Sequence, residues 1–176
     1  MQKLSAEQLI AQYSQGRRQF EEVELTQAEL FEANLKDINL NKSDLHRAYL
    51  PYANLAQANL EQTNLDNAQL EDACLYQANL ARANLNAARL CRINLRHAIL
   101  KGANLKLANL QQADLSFADL TGANLTGANL SRAKFRNAKL SQTIFNGANL
   151  FGAEDLDLAE ALVDTQTIYP DGFKSS

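Results

Sequence analysis

Every fifth residue from 20 to 150 is Leu or Phe, 27 positions without a break, with Phe only at 20, 135 and 145. Ala stands two residues earlier in 20 of the 27 repeats, from Ala28 to Ala148. Asn or Asp lies between the two in 16 of them, as at Asn34, Asn59 and Asp114. Neither regular element can use this period. On an α-helix, steps of five place successive Leu about 140° apart, so they spiral round the cylinder. On one continuous strand, an odd spacing throws them onto alternate faces. Both arrangements would leave Leu in water. The pattern closes if the chain runs extended for about three residues and then turns. Ala and Leu, two apart, then point to one side and the Asn between them to the other. A turn at the two variable residues brings the next segment to the same interior. The predicted object is a coil with short sides, an Ala/Leu core and a polar exterior.

The run of Ala-Asn/Asp-Leu-x-x units over residues 20–153 resembles the pentapeptide-repeat family. That resemblance implies an all-β solenoid, a right-handed quadrilateral parallel β-helix with four pentapeptides per coil. The 27 segments then make about seven coils, a rod about 32 Å long at strand spacing. With 20 residues per coil, Leu40, Leu60, Leu80, Leu100 and Leu120 stack as one core column. Phe135 and Phe145 lie on opposite walls and fill a wider core near the C-terminal end. Ile38, Thr63, Ile93 and Thr143 break the Ala column.

The ends depart from the period. Residues 1–19 read as an N-terminal capping helix and lead-in. Ser5 with Gln8 forms a capping box, Leu4 with Leu9 a hydrophobic staple, and Leu9, Ile10 and Tyr13 are expected on one buried helical face up to a stop at Gly16. Residues 20–153 are the repeat body, and residues 154–176 a C-terminal cap or tail. The register slips at Ala153-Glu154-Asp155-Leu156, and Pro170-Asp171-Gly172 signals a turn. Gly at the last repeat position occurs only beyond residue 100, at Gly102, Gly122, Gly127, Gly147 and Gly152. These corners are expected to use a different turn type, and the seam is compatible with a fusion of two shorter repeat proteins.

Composition narrows the function more than it assigns one. The first residues lack the apolar run of a secretory signal, and no stretch approaches the roughly 18 apolar residues of a membrane span. A cytoplasmic protein without membrane contact is the expectation. Cys74 and Cys91 lack CxxC spacing. His46 and His97 sit at outward positions 51 residues apart, with no nucleophile at motif spacing. Phosphate-binding loops and metal-ligand spacing are missing. No catalytic, metal or cofactor-binding residue is therefore assigned, and no cofactor is expected. The Asn/Asp row is mostly uncharged, and stacked amides bonding between coils account for it.

Charge is the informative surface feature. Residues 1–75 carry 6 basic and 12 acidic side chains, residues 76–150 carry 10 and 2, and residues 151–176 carry 1 and 6. The rod is acidic, basic, acidic along its axis. Stacking at 20 residues gathers Arg89, Arg92, Arg96, Arg132, Lys134 and Arg136 into a candidate basic patch for a partner, with Arg92 above Asp72. Phe31, Tyr49, Tyr52, Tyr76, Phe117 and Phe151 are the exposed contact candidates.

These features point to a non-enzymatic rod that binds or scaffolds another protein. The alternative comes from the resemblance, because some family members mimic DNA and bind type II topoisomerases such as gyrase. Such a mimic of about 32 Å needs on the order of 19 negative charges, which the basic middle does not supply. Direct nucleic-acid binding is disfavoured for want of an aromatic stacking platform.

Overall fold

In the computed structural model, which describes residues 1–174, each wall of the repeat body pairs with the residue twenty positions on. Parallel bridges run from Gln19↔Asn39 through Asn59↔Asn79 to Lys134↔Glu154. An offset of 20 residues is four pentapeptides, so the chain turns four corners before it returns above itself. Each wall carries a single bridge between two turns, because only about three residues are extended before the next corner. Longer strands are limited to β1 (Gln2–Lys3) and β2 (Val23–Glu24), which pair in parallel.

The backbone donors of one repeat can be followed to their partners. Leu60 N–H reaches Asn79 O at 2.7 Å in the coil above, and Asn59 N–H reaches Ile38 O at 2.9 Å in the coil below. At the corner, Gln62 N–H donates to Ala81 O at 2.9 Å, and Thr63 N–H closes the turn on Leu60 O at 3.1 Å. That leaves the first variable residue. Glu61 N–H donates to the side chain of Asn59, at 3.2 Å, and the same bond recurs at Ala56, Ala81, Arg96 and Ser116. An Asn or Asp two residues back supplies this acceptor locally, which accounts for the preference. The stacked amides also bond between coils, as in Asn84 Nδ2 to Asn64 Oδ1 at 3.0 Å. Where Tyr49 replaces Asn, the donor is removed instead: the residue two on is Pro51, which has no N–H.

Every corner from Glu22 to Gly152 has positive φ at its second variable residue. Positive φ at the third position of a closed four-residue turn is the type II pattern. Gly102 (φ 61) and Gly122 (φ 67) share it with Arg82 (φ 56) and Gln112 (φ 59). The expected change of turn type at the glycine corners does not occur. Stacking imposes one corner geometry on all coils, and glycine only adopts it with less strain.

Inside the coils, Leu40, Leu60, Leu80, Leu100 and Leu120 are fully buried. Phe135 and Phe145 are also buried and meet edge to face, 6.2 Å between ring centres. The inward hydroxyls are satisfied by the coil below: Thr63 and Thr143 donate to Leu40 O and Leu120 O, both at 2.8 Å.

At the N-terminal end, helix α1 (Ala6–Ser14) starts at Ser5, whose side chain and that of Gln8 bond reciprocally to backbone N–H groups. Leu4 and Leu9 are buried, and the Tyr13 hydroxyl donates to Lys36 O at 2.7 Å. Ile10 departs from expectation and is 44% exposed. It lies about 100° round the helix from Leu9, while Tyr13, one turn on, stays over the core. At the other end the wall offset shortens to 18 residues at Ile144↔Leu162 and 19 at Asn149↔Ile168. Residues 154–174 thus wind on as loop and turn above the last regular coil, without a helix. The chain reverses at Pro170-Asp171-Gly172, with Tyr169 N–H bonded to Phe173 O at 2.8 Å.

Candidate interaction surface

Two variable residues per corner and one outward residue per wall are all that this architecture shows to a partner. The six basic candidates occupy two walls and the two corners that follow them. Three have carboxylate partners. Arg92 is bidentate on Asp72, with Nε–Oδ1 at 2.7 Å and Nη2–Oδ2 at 2.5 Å. That hydrogen bonding holds the Asp72 carboxyl below its usual range against partial burial, and the Arg92 charge and Tyr52 hydroxyl reinforce it. Arg89 pairs with Glu71 at 2.5 Å, and Arg96 reaches Asp114 at 3.8 Å. Arg132, Lys134 and Arg136 have no carboxylate within 4.0 Å among the described residues. Arg96, Lys134 and Arg136 are brought together round a recess of 270 Å³ that also contains Ser116, Phe117, Asp114, Glu154 and Asp155. Arg89, Arg92 and Arg132 stand apart from it. Acids thus dilute the positive patch from within.

Other charges are organised in the same inter-coil manner. Lys101 and Lys139 flank Asp119 at 3.4 and 3.8 Å. Burial works to raise the Asp119 carboxyl, but hydrogen bonds from Thr121 and Lys101 outweigh it and the net shift is downward. Asp66 is also lowered: burial opposes, while hydrogen bonds from Asn86 and Asn67 and the nearby His46 prevail. Cys74 and Cys91 are free thiols. Burial pushes the Cys91 thiol up, and the Glu71 carboxylate adds to the effect. No group of three or more His, Cys, Asp or Glu positioned for a metal ion occurs among the described residues. No helix among them is long and apolar enough to cross a membrane.

The exposed aromatic residues are gathered into clusters that single-residue reading did not find. Phe31 stacks on Tyr49 at 6.0 Å and meets Tyr52 edge on at 5.8 Å. Tyr76 meets His97 edge on at 5.6 Å, and His97 lies flat on Phe117 at 4.8 Å with planes 6° apart. His97 had been considered only for catalysis. The signal was available in the numbering, because His97 and Phe117 are 20 apart and Tyr76 and His97 are 21 apart.

With this geometry in hand, comparison with known proteins gives consistent results. The model of the pentapeptide-repeat family matches in eight copies, in overlapping stretches from residue 28 to residue 152. Among solved structures, the plasmid-mediated fluoroquinolone resistance protein QnrB1 is similar with a TM-score of 0.63 and 15% identity, covering 89% of this chain and 80% of QnrB1. HetL of the cyanobacterium Nostoc, a pentapeptide repeat protein involved in regulating heterocyst differentiation, is 25% identical with a TM-score of 0.39 and covers 98% and 100% of the two chains. A further pentapeptide repeat protein of Nostoc is 31% identical, covers 93% and 98%, and has a TM-score of 0.33. No curated protein matches by sequence. The fold shared with QnrB1 is a right-handed β-helical solenoid.

Proposed function

Because the chain belongs to the pentapeptide-repeat family, we propose that it is a non-enzymatic rod that binds another protein along its outer corners. The observation that carries this reading is the gathering of half-exposed rings into two clusters, with Phe31 50%, Tyr52 56%, Tyr76 36% and Phe117 38% exposed. Stacking between neighbouring coils contributes about 0.5–1.5 kcal/mol per pair, so the rings also support the rod. That role does not require large apolar area to face water. Aromatic residues are enriched in the cores of protein interfaces and among the residues that dominate binding.

In this reading residues 20–153 are the working rod of about seven coils. Residues 1–19 and 154–176 close its ends, which keeps unpaired coil edges from joining other chains. The cytosol is the proposed compartment. A DNA-mimicking role is less well supported, since residues 76–150 hold ten basic side chains and two acidic ones where a mimic needs a dense row of negative charge. The likeness to QnrB1 supports the fold alone.

Photo-crosslinking in native extract tests the proposal. A benzophenone side chain at position 52 or 117 should yield a discrete crosslinked protein that the same group at position 62 does not. Absence of any crosslinked protein from both aromatic corners would overturn it.

A further inference from the structure

We propose that the corner bearing Tyr76, His97 and Phe117 is a docking edge for a short, acidic, extended protein segment with apolar side chains. The proposal rests on the protein-binding reading above and assigns it a surface and a partner chemistry. The three rings form a continuous ladder across successive coils, at 5.6 and 4.8 Å between centres. Ile99, two residues beyond His97 on the next wall, is 41% exposed and widens the apolar stripe. The corner itself does not require these rings. Phe117 holds φ 61, a conformation that strains a bulky residue and suits Gly or Asn. One coil higher the same corner carries Asn137 at φ 54.

The charge around the stripe selects the partner. Residues 76–117 carry six basic side chains and one acidic one. The acidic one, Asp114, is 3.8 Å from Arg96, and Arg136 has no carboxylate within 4.0 Å among the described residues. Such an edge attracts a negatively charged segment and disfavours a basic one. From Tyr76 to Arg136 is three coil steps, about 14 Å at strand spacing, or roughly four residues of extended chain. The occupant is therefore a short linear motif. A nucleic acid fits less well, because His97 and Phe117 turn their ring faces on each other and leave no open face there for a base.

The full chain is titrated, by fluorescence anisotropy at low salt, into a fluorescein-labelled peptide alternating Glu with Leu. Its Lys–Leu and Glu–Ser counterparts and an oligothymidylate are titrated in parallel. The Glu–Leu peptide should bind roughly tenfold or more tightly than each of the others, and more weakly as salt rises. The double variant His97→Asn, Phe117→Asn should lose about tenfold in affinity, with an unfolding midpoint unchanged or raised because Asn tolerates positive φ. Arg96→Glu with Arg136→Glu should lose at least as much. Equal binding of the peptides, an unaffected Asn double variant, or tighter binding of the oligonucleotide would overturn the proposal. If no peptide binds while position 52 still crosslinks a protein in extract, this edge is wrong and the protein-binding reading stands. If both fail, both are wrong.

Discussion

Replacing Leu75 by Ala probes the stack where it has no end to relax into. Leu75 is fully buried, and its column neighbours Leu55 and Leu95 are 0% and 2% exposed. The substitution removes three carbons, a transfer loss of about 2.4 kcal/mol at ~0.8 kcal/mol for each. The flanking inward residues are Ala73 and Ala78, too short to move into the space, and ladders on both sides hold the walls at fixed spacing. Much of the void should therefore persist, and at ~24 cal/mol per Å³ it adds roughly 1–2 kcal/mol. The expected total is about 3–4 kcal/mol. For a chain of this size that is a fall in Tm of roughly 6–16 °C. Urea and thermal unfolding followed by circular dichroism measure it, with Leu107→Ala as the control. Leu107 is 66% exposed, and its truncation should stay within about 0.5 kcal/mol. A loss below about 1 kcal/mol at Leu75, or equal losses at the two sites, would mean that multiples of five do not line a close-packed interior.

Acid should weaken the rod through carboxylates held low in the folded state. Asp72, Asp66, Asp119 and Asp164 are all shifted downward. Their contribution is complete above the unfolded carboxylate range, near pH 3.9, and is lost as pH falls through the depressed folded values. Tm should drop between about pH 5 and pH 2, and Asp72→Asn should flatten that drop; an unchanged profile would show that the pairing with Arg92 is without effect. Gln112→Gly should be neutral or slightly stabilising, because relief of positive φ offsets the greater freedom of glycine when unfolded, and Gly127→Ala should cost about 1 kcal/mol. Denaturant melts of the pair would refute the corner argument if the signs were reversed. Gyrase supercoiling with the protein in micromolar excess should proceed unchanged, and inhibition would revive the DNA-mimic reading.

The period of five was sufficient for the solenoid, because no helix or uninterrupted strand can bury residues at that spacing. The same arithmetic located Leu40 to Leu120, paired Phe135 with Phe145, and put Arg92 above Asp72. Neighbours close in sequence were also readable, as with Ser5 and Gln8, whose bonds span three residues. Three features needed the folded coil. The shared positive φ at Arg82 and Gly102 comes from the stacking of coils, which asks one shape of every corner whatever residue occupies it. The pairing of Arg89 with Glu71, and the freedom of Arg136, depend on where long side chains swing across a step between coils. The ladder of Tyr76, His97 and Phe117 exists only once residues 20 and 21 apart are set one coil above another. Composition and spacing decide what must be buried, since burial follows from local geometry repeated many times. Surface contacts between coils are set by the closed loop itself, and for that reason only the tertiary structure revealed which exposed groups meet.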